Sequence, residues 1–148
     1  MFPKDFVWGV ASSAYQVEGT DAKDGRGKNI WDEFARSGRV YEHQTAEVCC
    51  DHMHRYREDF ALMRMVGIKN YRFSINWSRI LPEGTGKVNE KAVQMYRDMI
   101  LCMKENGIRP FITLFHWEFP YELFKKGGWL NDEVVQWFGE YAKVVAEN

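Results

Sequence analysis

Apolar residues recur every three or four positions in three stretches of the chain, and this spacing predicts three amphipathic helices. The first helix is predicted to end at Gly67, the second to run from Asn89 to Gly107, and the third to begin at residues 131–133. The apolar faces of the three helices consist of Tyr56, Phe60, Met63 and Val66; Ala92, Met95, Tyr96, Met99, Ile100 and Met103; and Val134, Phe138, Ala142 and Val145. Each helix therefore has one face to bury against a neighbouring element.

Each of the first two helices is followed by a short loop and a run of apolar and β-branched residues, a pattern typical of a buried strand. These segments, 67–75 and 107–115, start 40 residues apart, and a third strand is predicted at Phe6–Val10 before the first helix. Strands that alternate with helices predict a parallel sheet with right-handed crossovers. Three such units are consistent with a small open α/β sandwich or with the opening section of an eight-unit barrel.

Polar and aromatic side chains follow the predicted strands directly. Gln16 follows the first strand, and His116 and Trp117 follow the third. In α/β folds these positions meet at one edge of the sheet, where ligands bind. A glutamine amide and a neutral imidazole hydrogen-bond to hydroxyl groups, and an indole packs against the apolar face of a sugar ring. The combination predicts a carbohydrate site.

Each of these residues also has an ordinary structural interpretation. His116 is equally consistent with a structural histidine, and a tryptophan such as Trp117, taken alone, is more often a core residue than a ligand platform. Arg72 lies within the second predicted strand, where a buried unpaired guanidinium would be too costly, so we expect it to face a carboxylate or solvent. An ion pair between Arg72 and Asp51 or Glu58 remains open at this stage.

Composition narrows the classes of function. The chain has 148 residues, of which 45% are hydrophobic and 28% charged, and this favours one globular domain. Its net charge of −1 gives no electrostatic reason to expect nucleic acid or an anionic membrane as a partner. The aromatic share of 16% is more than a small domain buries easily.

The ends of the chain and its cysteines bear on location and completeness. We find no secretory signal and no apolar run long enough to span a membrane, so we expect a cytoplasmic protein. Cys49, Cys50 and Cys102 lack metal-binding spacing, and we expect the adjacent pair to be reduced core or helix residues. The third helical pattern runs to Asn148 without a stop signal, which is typical of a truncated domain.

Several blocks of the sequence resemble glycoside hydrolase family 1, which contains the β-glucosidases and the 6-phospho-β-glucosidases. The blocks follow one another in the family's order and are spread over essentially the whole chain. They are residues 6–19 (FVWGVASSAYQVEG), 30–32 (IWD), 51–56 (DHMHRY), 71–79 (YRFSINWSR), 116–117 (HW) and 127–131 (GGWLN).

The resemblance implies an α/β fold of which this chain is the first three βα units, a partial (β/α)8 TIM barrel. Residues 1–148 would then be the N-terminal section of a single catalytic domain that removes the terminal non-reducing β-D-glucosyl residue of small glycosides with retention of configuration. Gln16, His116 and Trp117 match residues that hold the non-reducing sugar, and Arg72 matches the arginine that keeps the nucleophilic carboxylate ionised. No cofactor and no metal are implied.

The catalytic carboxylates of that family are missing from their places in this sequence. A retaining glycosidase needs two carboxyl groups about 5–5.5 Å apart. In the family they lie in an Asn-Glu-Pro motif after the fourth strand and a Glu-Asn-Gly motif after the seventh. Here the letters Glu105-Asn106-Gly107 fall at a predicted helix end instead. We therefore expect the chain alone to be inactive and to need the remainder of the barrel.

Two alternatives stay open beside this interpretation. The first is a section of a 6-phospho-β-glucosidase, although Trp117 after His116 is more typical of the branch that acts on unphosphorylated glucosides. The second is a non-catalytic sugar-binding relative, in which Gln16, His116 and Trp117 would serve without carboxylates. In each case we expect a β-glycoside or glucose as the ligand.

Overall fold

Three parallel strands form the sheet of the structure, a computed structural model that describes residues 1–19 and 24–148. The strands are β1 (Val10–Ala11), β2 (Asn70–Ser74) and β3 (Arg109–Thr113), and they lie side by side in that order. The helices are α1 (Ala14–Val17), α2 (Ile30–Arg36), α3 (His52–Met65), α4 (Trp77–Ile80), α5 (Glu90–Glu105), α6 (Tyr121–Lys125) and α7 (Val134–Glu147), with 3₁₀ turns at Tyr41–His43 and Gly128–Leu130. The prediction of alternating strands and helices with a parallel sheet is confirmed.

The first strand is shorter and lies later than predicted. The sequence predicted Phe6–Val10, whereas pairing begins only at Val10, which lies opposite Tyr71. The reason is the partner strand: β2 starts at Asn70, and the residues before it form the turn that follows α3. Residues 6–8 therefore have no strand residue opposite them.

Helix α3 ends, and helix α5 begins and ends, close to the predicted residues. Gly67 and Gly107 have φ values of +83° and +71°, the left-handed conformation that glycine adopts most easily after a helix. The Asn89 side chain accepts a hydrogen bond from the main-chain N–H of Ala92 and so caps α5. Val66 is the exception, because α3 ends at Met65 and leaves this valine exposed.

The core lies between one face of the sheet and the helices. Tyr71 and Phe73 on β2 stack with ring centroids 5.8 Å apart and pack with Phe60 of α3. Beyond the end of β2, Trp77 stacks on Tyr141 of α7 at 4.9 Å. The Tyr141 hydroxyl hydrogen-bonds to the carbonyl oxygens of Ile75 (3.0 Å) and Leu114 (2.7 Å). Helix α7 thus anchors the chain where β2 and β3 end.

The cysteines are all free, but the adjacent pair is not where the sequence placed it. Cys102 is buried, whereas Cys49 and Cys50 are exposed in the turn before α3. Cys49 and Asp51 both have positive φ values, +50° and +53°, so the helix cannot extend back through them. The expectation of a core or helical position for this pair was wrong.

Within residues 1–19 and 24–148, no helix has the length and apolar character needed to cross a membrane. The cellular location stays a prediction.

Candidate functional site

The carboxyl ends of the three strands meet at one edge of the sheet. Ala11 lies opposite Arg72, and Ser74 lies opposite Thr113, so the strands run in step along their paired lengths. The segments that leave this edge are the ones that carry the residues singled out from the sequence. The order β1-β2-β3 places the loop of β2 between the loops that carry Gln16 and His116.

Gln16 lies on α1, directly after β1, and its side chain is exposed. Its Oε1 accepts a hydrogen bond of 2.8 Å from the hydroxyl of Ser13, which is itself buried. The neighbouring Ala14 N–H donates to the Ser74 hydroxyl at 2.7 Å and ties α1 to the end of β2. In the described part of the chain nothing else bonds to the Gln16 amide, so its N–H groups face solvent with the oxygen already oriented.

His116 and Trp117 follow β3 in a tight turn. His116 is half-buried, whereas the Trp117 side chain is 67% exposed, so Trp117 lies outside the core of this chain. Trp117 has a φ of +80°, an uncommon conformation for a residue other than glycine and one that tends to occur at functional sites. Its carbonyl oxygen accepts from the Phe119 N–H at 2.9 Å. The turn therefore presents a flat indole to solvent.

The turn after β3 is pinned to the segment that precedes α2. Asn29 and Pro120 form an antiparallel bridge, and the Ile30 N–H donates to the Phe119 carbonyl oxygen at 3.0 Å. Asn29 is completely buried. Because the segment before α2 follows the loop of β1, this bridge connects the part of the chain that carries Gln16 with the part that carries Trp117.

Arg72 lies in the middle of β2 and points away from the core. It is exposed, whereas its neighbours Tyr71 and Phe73 are buried. Its register partner on β3 is Phe111, an exposed residue, and register partners in a parallel sheet share a face. Arg72 and Phe111 thus lie on the open face of the sheet, opposite the helices.

The ion pair considered for Arg72 is not formed. The Asp51 carboxylate binds the His54 ring nitrogen Nδ1 at 2.6 Å, and the Glu58 carboxylate binds Arg55 at 3.2 Å. Arg72 makes no ion pair within the described ranges. Its guanidinium is therefore available to an anionic group on the open face.

Glu18 and Arg79, in the loops that follow β1 and β2, are the centre of a buried charge cluster. This cluster was not predicted from the sequence. The Arg79 side chain pairs with Glu18 at 3.2 Å, and the two side chains are 1% and 2% exposed. Tyr96 donates to the other Glu18 oxygen at 2.7 Å, Arg79 donates to the Gly19 carbonyl oxygen at 3.1 Å, and Arg79 also pairs with Asp24. The sequence signal that could have indicated this pair is the acidic Glu18 and the basic Arg79 in the loops that follow two adjacent strands.

Glu118 is the second feature that the sequence did not reveal. It follows the exposed Trp117 but is completely buried. Within the described residues, no donor reaches either of its carboxyl oxygens in hydrogen-bonding geometry. Burial raises the pKa of Glu118 to about 7, and the Glu18 carboxylate adds to the increase. An acid beside an exposed tryptophan gives no sequence signal of burial.

Chemically, this edge offers hydrogen-bonding groups and a flat aromatic face, and Arg72 adds a cation on the adjoining open face of β2. Across the part of the chain that the structure describes, no three His, Cys, Asp or Glu side chains group as a metal site would require. The groups that face solvent are suited to a neutral, hydroxyl-rich ligand, with Arg72 available to an anionic group.

The comparisons with known proteins agree with this geometry. The family model "Glycosyl hydrolase family 1" matches residues 1–148. Beta-glucosidase A of Acetivibrio thermocellus is 50% identical, and Beta-glucosidase A of Thermotoga maritima is 48% identical; each alignment covers 99% of this chain and 33% of the relative. The chain thus spans about a third of the length of the curated relatives it matches.

Solved structures give the same result. The family 1 β-glucosidase from Thermotoga maritima matches at 48% identity with a TM-score of 0.93, over 97% of this chain and 33% of that one. The same enzyme has been solved in complex with deoxynojirimycin. The predicted resemblance and the predicted partial TIM barrel are both confirmed.

The buried Arg79–Glu18 pair gives a stability prediction. We expect Arg79→Met to lower the free energy of unfolding by about 3–5 kcal/mol, because it leaves the Glu18 carboxylate buried without its guanidinium partner. The measurement is urea unfolding of a fusion of residues 1–148 to the two thirds of the Thermotoga maritima β-glucosidase that this chain does not match. We call this fusion the completed barrel.

Two control variants isolate the buried charge as the cause. Arg55→Met breaks a pair with Glu58 at the same 3.2 Å distance, but both side chains are exposed, so we expect almost no change in stability. Adding Glu18→Gln to Arg79→Met removes the orphaned charge and keeps an acceptor for Tyr96, so it should restore part of the loss. Equal effects of Arg79→Met and Arg55→Met would refute the prediction.

Proposed function

Because the chain belongs to glycosyl hydrolase family 1, we propose that residues 1–148 form the N-terminal section of the single barrel domain of a retaining β-glucosidase. The observation that carries the proposal is the match of essentially the whole chain to the Thermotoga maritima β-glucosidase at 48% identity and a TM-score of 0.93. Relatives that are 45–50% identical, from bacteria and plants, are named β-glucosidases or glucan glucohydrolases. These names favour an unphosphorylated glucoside as substrate.

In this proposal Gln16, His116 and Trp117 bind the non-reducing glucosyl residue. The Gln16 amide, oriented by Ser13, donates hydrogen bonds to sugar hydroxyls. His116 binds a further hydroxyl, and the exposed indole of Trp117 covers the apolar side of the ring. The solved complex of the Thermotoga maritima enzyme with deoxynojirimycin, a glucose-like ligand, supports a sugar of this size.

Arg72 acts on the nucleophile in this proposal. Retaining hydrolysis uses one carboxyl group as acid and base and a second as nucleophile, which forms a covalent glycosyl intermediate that water then hydrolyses. A guanidinium beside the nucleophile keeps that carboxylate ionised at neutral pH. Arg72 is suited to this role because it is exposed on the open face of β2 and has no ion-pair partner within residues 1–19 and 24–148.

Both catalytic carboxyl groups come from the remainder of the barrel in this proposal. The Glu105-Asn106-Gly107 letters lie at the end of α5, just before β3, and Gly107 takes the left-handed conformation that ends the helix. That position is the amino end of the strand, at the edge opposite His116. In the described residues, β1 and β3 each have one edge without a neighbouring strand, which further strands of a barrel would cover.

Hydrolysis by the full-length protein, of which residues 1–148 are the N-terminal section in this proposal, tests the proposed function. We expect it to hydrolyse 4-nitrophenyl β-D-glucoside and to release glucose first as the β-anomer, which proton NMR distinguishes from the α-anomer. We also expect cellobiose to be cleaved and its 6-phosphate to be left intact. A full-length protein that binds glucose without turnover would instead favour the non-catalytic alternative, and initial release of α-glucose would exclude the retaining mechanism.

A further inference from the structure

Glu118 lies behind the turn that carries His116 and Trp117. Its side chain is completely buried, whereas the side chain of Trp117 is 67% exposed, so the turn sends consecutive side chains in opposite directions. The positive φ of Trp117 produces this reversal, and the 2.9 Å hydrogen bond from Phe119 N–H to the Trp117 carbonyl oxygen closes the turn around Glu118. The position of Glu118 and the display of the indole are therefore two results of one main-chain conformation.

The surroundings of Glu118 suit an uncharged carboxyl group. The Ser74 hydroxyl and the main-chain N–H groups of His116 and Glu118 lie near enough to favour the carboxylate weakly, but none meets hydrogen-bonding geometry among the described residues. Burial outweighs them and raises the pKa of Glu118 to about 7. A buried carboxylate without a hydrogen-bonded partner is costly, so this group resists ionisation.

The neighbouring ionisable groups add to this resistance. Glu18, at the end of α1, contributes negative charge, and Tyr141 of α7 interacts with Glu118 closely enough that Glu118 helps to raise the pKa of that tyrosine. Arg79, the ion-pair partner of Glu18, is engaged with Glu18 and Asp24. No cation pairs with Glu118 in the part of the chain that the structure describes.

We propose that Glu118 is a positioning residue for sugar binding: its uncharged, buried side chain holds the turn that presents His116 and Trp117, and its ionisation displaces that turn. The proposal rests on the proposed roles of His116 and Trp117 in binding the sugar. Glu118 itself is not a catalytic residue, because its complete burial keeps it away from substrate.

The path of the displacement follows from the contacts around the turn. An ionised Glu118 gains stability by moving toward water, and this requires the turn at residues 117–119 to open. The far side of the turn is held by the Asn29–Pro120 bridge and by the 3.0 Å hydrogen bond between Ile30 and Phe119. The opening of the turn therefore displaces Trp117 and His116. Because these residues bind the sugar in the proposed function, the affinity for the sugar decreases.

The test uses the completed barrel and glucose as a competitive inhibitor, since glucose carries no charge. Between pH 6 and pH 8 a group with a pKa of about 7 goes from about one-tenth to nine-tenths ionised. If glucose binds well only when Glu118 is uncharged, the inhibition constant of glucose for the unsubstituted completed barrel (the parent) should rise over this range. That rise should be about tenfold larger than the rise for the Glu118→Gln variant. The two proteins should bind glucose equally at pH 6, because a glutamine amide has the shape of the uncharged carboxyl group.

Matched variants give each outcome a meaning. Glu122→Gln removes a partly exposed carboxylate from the same segment, one that pairs with Lys125, and should keep the pH step of the parent. A pH step retained in Glu118→Gln, or a loss of affinity in that variant at pH 6, would overturn the positioning role. Should the glutamine variant not fold, Glu118→Met replaces it with an uncharged side chain of similar length, and a persistent step would again be decisive.

A further variant separates this inference from the proposed function. His116→Ala should weaken glucose binding at both pH values if His116 holds the sugar. If His116→Ala changes nothing, the proposed site itself fails. If His116→Ala weakens binding while Glu118→Gln keeps the parent's pH step, only the positioning role fails.

Discussion

The chain of residues 1–148 is expected to release no 4-nitrophenol from 4-nitrophenyl β-D-glucoside, whereas the completed barrel is expected to hydrolyse it. The reason is the position of the available carboxyl groups. Glu105 lies at the amino end of β3, Glu118 is completely buried, and Glu18 is buried and paired with Arg79. None of the three is placed to act as nucleophile or as acid at the proposed sugar-binding edge.

The assay compares three samples at equal concentration: the chain alone, the chain after heat inactivation and the completed barrel. The chain alone should match the heat-inactivated sample, and the completed barrel shows that the assay detects turnover. Hydrolysis by the chain alone above the heated sample would contradict the prediction, and it would direct attention to a carboxyl group within residues 1–148.

Arg72→Met is expected to reduce kcat/KM of the completed barrel by about 100-fold, which is typical of removing one charge-stabilising group from a catalytic site. In the proposed function, the guanidinium on the open face of β2 favours the ionised form of a neighbouring nucleophile. Without it the nucleophile should hold its proton to higher pH, so the acid limb of the kcat/KM profile should move up by about 1–3 pH units.

The pH profile distinguishes this electrostatic role from damage to the fold. Arg57→Met is the matched control, because Arg57 is an exposed arginine on α3, away from the strand ends, and its loss should leave the profile unchanged. Arg72→Lys keeps a positive charge and should recover part of the activity. A uniform drop in activity at every pH with no movement of the acid limb would show that Arg72 does not act on the nucleophile.

The repeating elements could be predicted because their signals are local. The apolar stripe of α5, its cap at Asn89 and its terminating Gly107 all lie within a stretch of some twenty residues, and the structure has each of them as expected. Alternation of such helices with apolar runs was enough to predict a parallel sheet. The strand ends then indicated where Gln16, His116 and Trp117 would lie.

The sequence led to a wrong prediction, or to none, where the position of a residue depended on other parts of the structure. The start of β1 was misplaced because pairing is limited by Asn70, sixty residues further along the chain. Cys49 and Cys50 were misplaced because positive φ values at Cys49 and Asp51 keep them out of α3. In both cases the local composition was compatible with the wrong element, and the neighbouring structure excluded it.

By itself, the sequence determined the order of strands and helices, the edge of the sheet that carries the polar groups and, through its motifs, the family. Tertiary structure alone decided which acidic groups are buried. Glu18 pairs with the guanidinium of Arg79, in the loop that follows β2. Glu118, after β3, has no such partner among the described residues. The physical reason is that burial and pairing energies depend on groups brought together from distant parts of the chain, and a residue's sequence neighbours do not report them.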